Sequence, residues 1–123
     1  SAEWVLNGNY SLFGFSILER GANDVLLPNA PDFKLNGGLT YRNASGYEVG
    51  ITAKYIPSFD WAAGIYQGRI LAYALVNLAA SCRVTSNIEL GLNISNLLNR
   101  EHYEIFGGSL LKRRAIGTVT MLF

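Results

Sequence analysis

The residues best suited to chemistry in this sequence are few, and they form no catalytic set. His102 is the single histidine and Cys82 the single cysteine, so neither a histidine-rich nor a cysteine-based metal site is expected. No Ser/His/Asp set, phosphate-binding loop or pair of carboxylates at a spacing suited to acid–base catalysis can be aligned. The sequence therefore predicts a protein that is not an enzyme and that carries no cofactor.

Aromatic side chains beside polar ones form two groups that are better suited to ligand contact, because ligand mouths combine such residues. One group lies within 56–72 and the other within 96–114. The candidate ligand-contact residues are Phe59, Asp60, Trp61, Tyr66, Arg69, His102 and Tyr103. The alternative is that the aromatics pack on one another or on a rim, and that His102 caps a segment or lies at the surface.

The elements that must position these groups are predicted from a period of two along almost the whole chain. In 47–55, for example, Tyr47, Val49 and Ile51 alternate with Glu48 and Thr52. Successive side chains of a strand point to opposite faces, so such a segment has one apolar and one polar side. The same pattern predicts strands over 4–13, 33–42, 47–55, 73–84, 88–95 and 115–123. Most are close to the ~9–11 residues with which a tilted strand crosses a bilayer.

Two Asn-Gly pairs lie inside these predicted strands, and each is a strong hairpin signal. They are Asn7-Gly8 and Asn36-Gly37. The alternation continues in phase on both sides of each pair, so both are interpreted as strand interior.

Loop lengths and aromatic positions favour a transmembrane barrel over a soluble sheet. The links at 43–46 and 85–87 are tight, whereas those at 14–32, 56–72 and 96–114 are long. Barrels of the outer membrane have short periplasmic turns, long extracellular loops and aromatic girdles at both interfaces. Aromatics lie at the ends of the apolar sides, at Trp4, Tyr41, Tyr47, Tyr55 and Phe123. The prediction is an all-β, antiparallel up-and-down transmembrane β-barrel segment of about six strands.

Charge and hydropathy argue against a nucleic-acid-binding protein and against a protein that crosses the membrane with a helix. Charged residues make up 15% of the chain and the net charge is +1, which gives no reason to expect a nucleic-acid partner. No run of about 18 apolar residues occurs, so no transmembrane helix is predicted, and Ser1-Ala-Glu-Trp lacks the pattern of a signal peptide.

Several segments, taken in order, resemble the C-terminus of TonB-dependent outer-membrane receptors. The segment 96–103, Asn-Leu-Leu-Asn-Arg-Glu-His-Tyr, is followed by Gly107-Gly108, then by Lys112-Arg113-Arg114 and a strand that ends at Phe123. Upstream, 30–36 looks like a strand start of that family and 73–77 like its tyrosine-led strand before the last hairpin. Each motif alone has low specificity for the family, but the order and spacing of the motifs together are fairly specific.

The resemblance implies a bacterial outer-membrane receptor of about 22 strands with a plug inside the barrel. Such receptors import a scarce nutrient of the siderophore, haem, cobalamin or glycan class, driven through TonB. No segment of 1–123 matches the plug or the TonB-contacting box, so the whole chain is expected to be the C-terminal part of a barrel. The implied partners are outer-membrane lipid, the remaining strands and plug of the parent receptor, and TonB through a missing N-terminal region.

Two further sites are expected around the last strand. Val119, Met121 and Phe123 resemble the signal that the outer-membrane assembly machinery reads, although the glycine usual at position 118 is here at 117. The alternative for Phe123 is a girdle aromatic at the lower rim. Lys112-Arg113-Arg114 is a candidate for binding the phosphates of lipopolysaccharide, or is a solvated loop end.

Six strands alone leave two unpaired edges, and lipid offers those edges no hydrogen-bond partner. Single-chain barrels begin at about 8 strands, so further strands must come from the parent chain, from other copies or from another chain. Two alternatives stay open. One is a small self-associating outer-membrane barrel or adhesin-like protein. The other is a soluble β-sheet binding protein whose apolar face forms a core.

Overall fold

The computed structural model describes residues 1–16, 18 and 27–123, and its regular elements are strands. Within that part of the chain no helix is long and apolar enough to cross a membrane. The strands are β1 (Ala2–Leu12), β2 (Phe33–Asn43), β3 (Tyr47–Ile56), β4 (Phe59–Ala63), β5 (Tyr66–Ile70), β6 (Tyr73–Arg83), β7 (Ile88–Ser95) and β8 (Arg114–Met121).

Six strands form one antiparallel sheet in the order β1-β2-β3-β6-β7-β8, and β4 pairs with β5 in a separate hairpin. All six predicted strands are confirmed, with bounds that differ by one to two residues at most ends. Both Asn-Gly pairs lie inside strands as predicted, and Gly8 pairs directly with Gly37. The all-β, up-and-down antiparallel architecture is therefore confirmed.

The register lines up the apolar sides of all six strands on one face. Residues that pair across neighbouring strands point to the same side of the sheet. One such row crosses the whole sheet and comprises Leu6, Leu39, Ile51, Leu78, Ile94 and Ala115. Leu35, Ile51 and Leu92 keep 47%, 46% and 43% of their surface exposed, so this face closes on no interior of its own.

The opposite face is polar and bears a shallow cavity of about 520 Å³, whose lining includes Thr40, Thr52, Asn77, Glu89, Asn93 and Thr118. Polar side chains on this face pair across the strands. Arg42 Nε donates to Glu48 Oε2 at 2.8 Å, and Asn36 Nδ2 donates to Asn9 Oδ1 at 2.8 Å. A β-carbon on Gly38 would lie 2.7 Å from Asn7 Oδ1, which shows that Asn7 leans over the glycine.

Aromatic pairs mark the two ends of the apolar face. The rings of Trp4 and Tyr41 lie 4.8 Å apart near the short turns, and those of Phe33 and Tyr55 lie 6.0 Å apart near the long loops. The step from Phe33 to Tyr41 spans about 26 Å along the strand at ~3.3 Å per residue. A tilt of about 40° reduces that height to ~20 Å, which is close to the apolar band of ~25 Å in outer-membrane barrels.

The segment 56–72, predicted as a loop, contains the hairpin β4–β5 instead. Its pairing keeps the register of β3 and β6, because Ile56 pairs with Tyr73 and Phe59 with Ile70. The ladder is interrupted at Pro57, which has no N–H to donate. The hairpin turns at Gly64, whose φ of 60° lies in the left-handed region that a two-residue turn requires. The loop prediction was wrong here because β3 and β6 continue beyond the sheet as one long hairpin.

Candidate functional site

The long-loop end of the sheet carries a cleft of about 790 Å³ between the β4–β5 hairpin and the segment 100–110. We call this space the cleft. Its lining includes Arg69, Tyr73, Arg100, His102, Tyr103 and Phe106. Two groups of candidate residues that are far apart in sequence therefore meet at one place.

The hairpin is held over the sheet by an apolar cluster. Ile56, Ile70, Tyr73 and Leu75 are buried, and Phe59 and Trp61 pack against them. Ile70 is only 2% exposed. Since these side chains come from both the hairpin and the strands below it, β4 and β5 are fixed to the upper end of the sheet.

Asn29 ties a distant segment to the hairpin. Its Nδ2 donates to the Ala62 carbonyl at 2.9 Å, and its Oδ1 accepts from the Ala62 N–H at 2.8 Å. The side-chain amide of Asn29 thus forms hydrogen bonds with both the N–H and the carbonyl of Ala62, on the edge of β4 that faces away from β5. Asn29 has a φ of 52°, a conformation that asparagine tolerates better than most residues.

Two aromatic rings lock the hairpin against the segment that closes the cleft. The ring of Phe106 lies against Gly68, and the ring of Tyr66 lies 2.7 Å from the place where a β-carbon of Gly107 would stand. Each ring therefore occupies space that a glycine leaves free on the opposite element. Gly107 also has a φ of 77°, which favours glycine.

His102 lines the cleft and contacts side chains from β6 and from its own segment. Its ring stacks on Tyr73 with the centroids 4.5 Å apart, and its Nδ1 lies 3.0 Å from the Arg100 carbonyl. A carbonyl only accepts, so Nδ1 carries the hydrogen. Lys54 Nζ lies 3.4 Å from Glu104 Oε1, and His102 Nε2 lies 3.8 Å from the same oxygen. The segment 100–104 thus folds back across β6 to reach Lys54 on β3.

The sequence-predicted ligand residues occupy different positions around this cleft. Arg69, His102 and Tyr103 line it. Tyr66 packs at its rim against Gly107, and Asp60 is exposed opposite Arg69 on the hairpin. Phe59 and Trp61 are half-buried under the hairpin, where they pack on the apolar cluster. The structure thus brings three of the seven predicted residues to the cleft surface.

Four residues that sequence reasoning did not select help to build the site: Asn29, Lys54, Tyr73 and Asn96. Lys54 alternates correctly in its strand, so the pattern gave no reason to separate it from other strand residues. Tyr73 has the parity of the polar side of β6, and an aromatic residue at that position interrupts the alternation. A signal did exist for Asn96, since it begins the asparagine-rich motif of 96–103. Among the described residues, no group of three or more His, Cys, Asp or Glu could hold a metal ion.

The structure also describes the two sites that the sequence predicts near the last strand, outside the cleft. Val119 and Met121 lie on the apolar face of β8 opposite Leu90 and Ile88, and both are exposed, as is Phe123 beyond the strand. In the basic run, Lys112 pairs with Glu101 at 2.8 Å, whereas Arg114 opens β8 on the polar face opposite Ser95.

Comparison with known proteins gives matches at the level of structure. No protein-family description matches the sequence, and no curated protein matches it. The crystal structure of the ferric-catecholate import receptor Fiu from Escherichia coli K12 matches 98% of this chain with a TM-score of 0.72 and 21% identity. The ferric enterobactin receptor PfeA of Pseudomonas aeruginosa, a G324V mutant, matches 73% of the chain with a TM-score of 0.57 and 15% identity.

The chain has the fold of part of a TonB-dependent receptor barrel. It spans 19% of the Fiu chain and 16% of the PfeA chain. Fiu is an import receptor and PfeA a receptor, and at 21% and 15% identity the likeness to them shows the fold of this chain.

Proposed function

We propose that residues 1–123 are the C-terminal strands and loops of a TonB-dependent receptor that imports a ferric siderophore across the bacterial outer membrane. The six long strands cross the bilayer, the short turns face the periplasm, and the cleft faces the exterior. The remaining strands and the plug belong to other parts of the parent receptor.

The observation that carries this proposal is the apolar face that runs in register across all six strands while its members stay exposed. A bilayer is the solvent that suits such a face, because the face carries no charged residue and the backbone groups between neighbouring strands are paired. The outer edges of β1 and β8 need further strands for the same reason.

The siderophore class is favoured by the cleft and by the two structural neighbours. Fiu is a ferric-catecholate receptor and PfeA a ferric enterobactin receptor. The cleft joins aromatic surfaces of Tyr73, Tyr103 and Phe106 with the guanidinium groups of Arg69 and Arg100. Flat anionic aromatic groups suit that combination, since rings stack on rings and guanidinium groups bind anionic oxygens. Haem, cobalamin and glycans are the competing classes.

The proposed partners follow from this placement. Lipid contacts the apolar face, the plug contacts the polar face, and TonB acts through an N-terminal region of the parent receptor. Val119, Met121 and Phe123 are proposed to be read by the assembly machinery, because they form an exposed apolar row at the periplasmic end of β8. The basic run 112–114 lies at the opposite end, where lipopolysaccharide phosphates are found.

The decisive experiment is uptake by cells. A strain that lacks the parent gene is compared with the same strain carrying the gene, under iron starvation, for uptake of radioactive ferric enterobactin. We expect uptake only with the gene, and loss of uptake when TonB is deleted. Haem, cobalamin and a maltooligosaccharide are tested in parallel. Uptake of one of these in place of the ferric catecholate would reject the siderophore class, and equal uptake without TonB would reject the receptor class.

The open edges of the sheet also support a second candidate, a barrel that closes by self-association of this chain. The mass of the detergent-extracted protein distinguishes this candidate from the TonB-dependent receptor. The parent receptor gives one chain much larger than 13.5 kDa. A closed oligomer of 13.5 kDa subunits would favour the second candidate.

A further inference from the structure

Asn96 occupies an unusual place directly after β7. Its side chain is buried, with 3% of the residue exposed, although it lies at the start of a long exterior segment. Its φ is 55°, in the left-handed region. A buried polar side chain in this conformation persists only where its neighbours hold it.

The neighbours of Asn96 satisfy all its polar groups. Its Oδ1 accepts from the Arg100 N–H at 2.8 Å, and its Nδ2 donates to the Arg100 carbonyl at 2.7 Å. Its own N–H donates to Asn77 Oδ1 at 2.9 Å, and its carbonyl accepts from the Asn99 N–H at 2.8 Å. The peptide groups of Arg100 are thereby tied through Asn96 to Asn77 on β6.

The bond to Arg100 continues into the cleft. The Arg100 carbonyl that accepts from Asn96 Nδ2 also lies 3.0 Å from His102 Nδ1. The His102 ring in turn stacks on Tyr73, which lines the cleft. Hence the orientation of Arg100 and His102, and with them the cleft wall, depends on one amide that does not itself line the cleft.

We propose that Asn96 is a positioning residue for ligand binding by the cleft. This rests on the proposed function, because it assumes that the cleft contacts the imported ligand. Asn96 touches no ligand. It fixes the main chain at Arg100, and the cleft then needs no reordering when the ligand binds.

The chain provides a matched control in Asn99. Asn99 lies in the same segment, has a φ of 53° and accepts from the Arg113 N–H at 2.9 Å, but makes no bond to Arg100. In Asn96→Asp the atom that donates to the Arg100 carbonyl becomes an oxygen, so donation is replaced by repulsion. In Asn99→Asp the accepting oxygen remains. Both variants add the same charge within one short segment, at a buried position for Asn96 and an exposed one for Asn99.

The first readout is the dependence of uptake on ligand concentration, with the full receptor in cells and ferric enterobactin as the probe. We expect Asn96→Asp to raise the apparent KM about tenfold with little change in maximal uptake, and Asn99→Asp to change the KM less than about twofold. A purely structural role would lower receptor number and maximal uptake and leave the KM unchanged, and that result would overturn the proposal.

The second readout needs no ligand. Trypsin is added to cells, and cleavage after Arg100 is compared with cleavage after Lys112 in the same sample. We expect Asn96→Asp to accelerate the first cut selectively and Asn99→Asp, which keeps its accepting oxygen, to accelerate neither cut. If the wild type takes up no ferric catecholate, the proposed function fails, whereas the ratio of the two cuts still decides whether Asn96 holds Arg100. Equal acceleration by both variants would reject the role of Asn96.

Discussion

The ring of Phe106 lies directly against the backbone of Gly68, so that no β-carbon fits between them. These residues come from the two elements that form the cleft, and no strand pairing joins those elements. Together with the contact between Tyr66 and Gly107, their contact sets the distance between the hairpin and the segment 100–110. A glycine inside a five-residue strand is unfavourable for β structure, and its presence is explained by this close approach.

Replacement of Gly68 by alanine should separate the two walls of the cleft. The added methyl group overlaps the Phe106 ring, and overpacking of this kind costs about 1–3 kcal/mol. Hydrogen exchange in the detergent-solubilised receptor should become faster in 59–70 and 102–108 but not in β7. Gly14→Ala is the control, because within the described part of the chain no atom lies within 4 Å of its β-carbon position. Unchanged exchange in Gly68→Ala would show that the ring moves away freely.

The amide of Asn29 should determine how firmly the hairpin edge is held. Asn29→Ala removes both bonds to Ala62, which are worth about 0.5–1.5 kcal/mol each. The Ala62 amide should then exchange with solvent faster by at least about tenfold. Asn29→Asp keeps the acceptor for the Ala62 N–H and should give an intermediate rate. The prediction fails if aspartate and alanine behave alike.

The six strands were predictable because the alternation of apolar and polar residues is a local property that each segment of the sequence shows by itself. Even the interior positions of Asn7-Gly8 and Asn36-Gly37 followed from the phase of their neighbours, and Gly8 does pair with Gly37. The hairpin β4–β5 was not predicted. Each of its strands has five residues, and Phe59 and Trp61 were interpreted as loop aromatics although they pack on Ile56 and Ile70.

The cleft itself was predictable only in part. Sequence reasoning selected both groups of residues that form it, around 59–69 and 102–103. That the groups share one cleft depends on how the segment 96–113 folds back over β6, which no periodicity encodes. The bonds that decide this are specific and distant, such as Asn96 with Asn77 and Lys54 with Glu104, 50 residues apart.

The ion pair between Lys112 and Glu101 should persist to alkaline pH. The hydrogen bond to Glu101, and then its charge, raise the pKa of Lys112 above the ordinary 10.5. A raised pKa means that the pair stabilises the segment fully below 10.5 and that this contribution is lost as the pH rises through the higher value. Glu101→Gln should lower the Lys112 pKa, measured by the 13Cε shift of labelled lysine. The same pKa in both proteins would exclude a lasting pair.

Leu39 and Thr40 offer the sharpest test of which face meets lipid. Leu39 pairs with Leu6 and Ile51 midway along the apolar face, whereas Thr40 pairs with Val5 and Gly50 on the polar face. An arginine on the lipid side near the middle of the bilayer costs about 2–4 kcal/mol, whereas a lumenal arginine remains in water. Leu39→Arg should therefore reduce the folded receptor in outer-membrane fractions, measured by its heat-modifiable gel mobility, and Thr40→Arg should not. The reverse order would place the apolar face in water rather than in lipid, because only a solvated Leu39 would accept the charge more readily than Thr40.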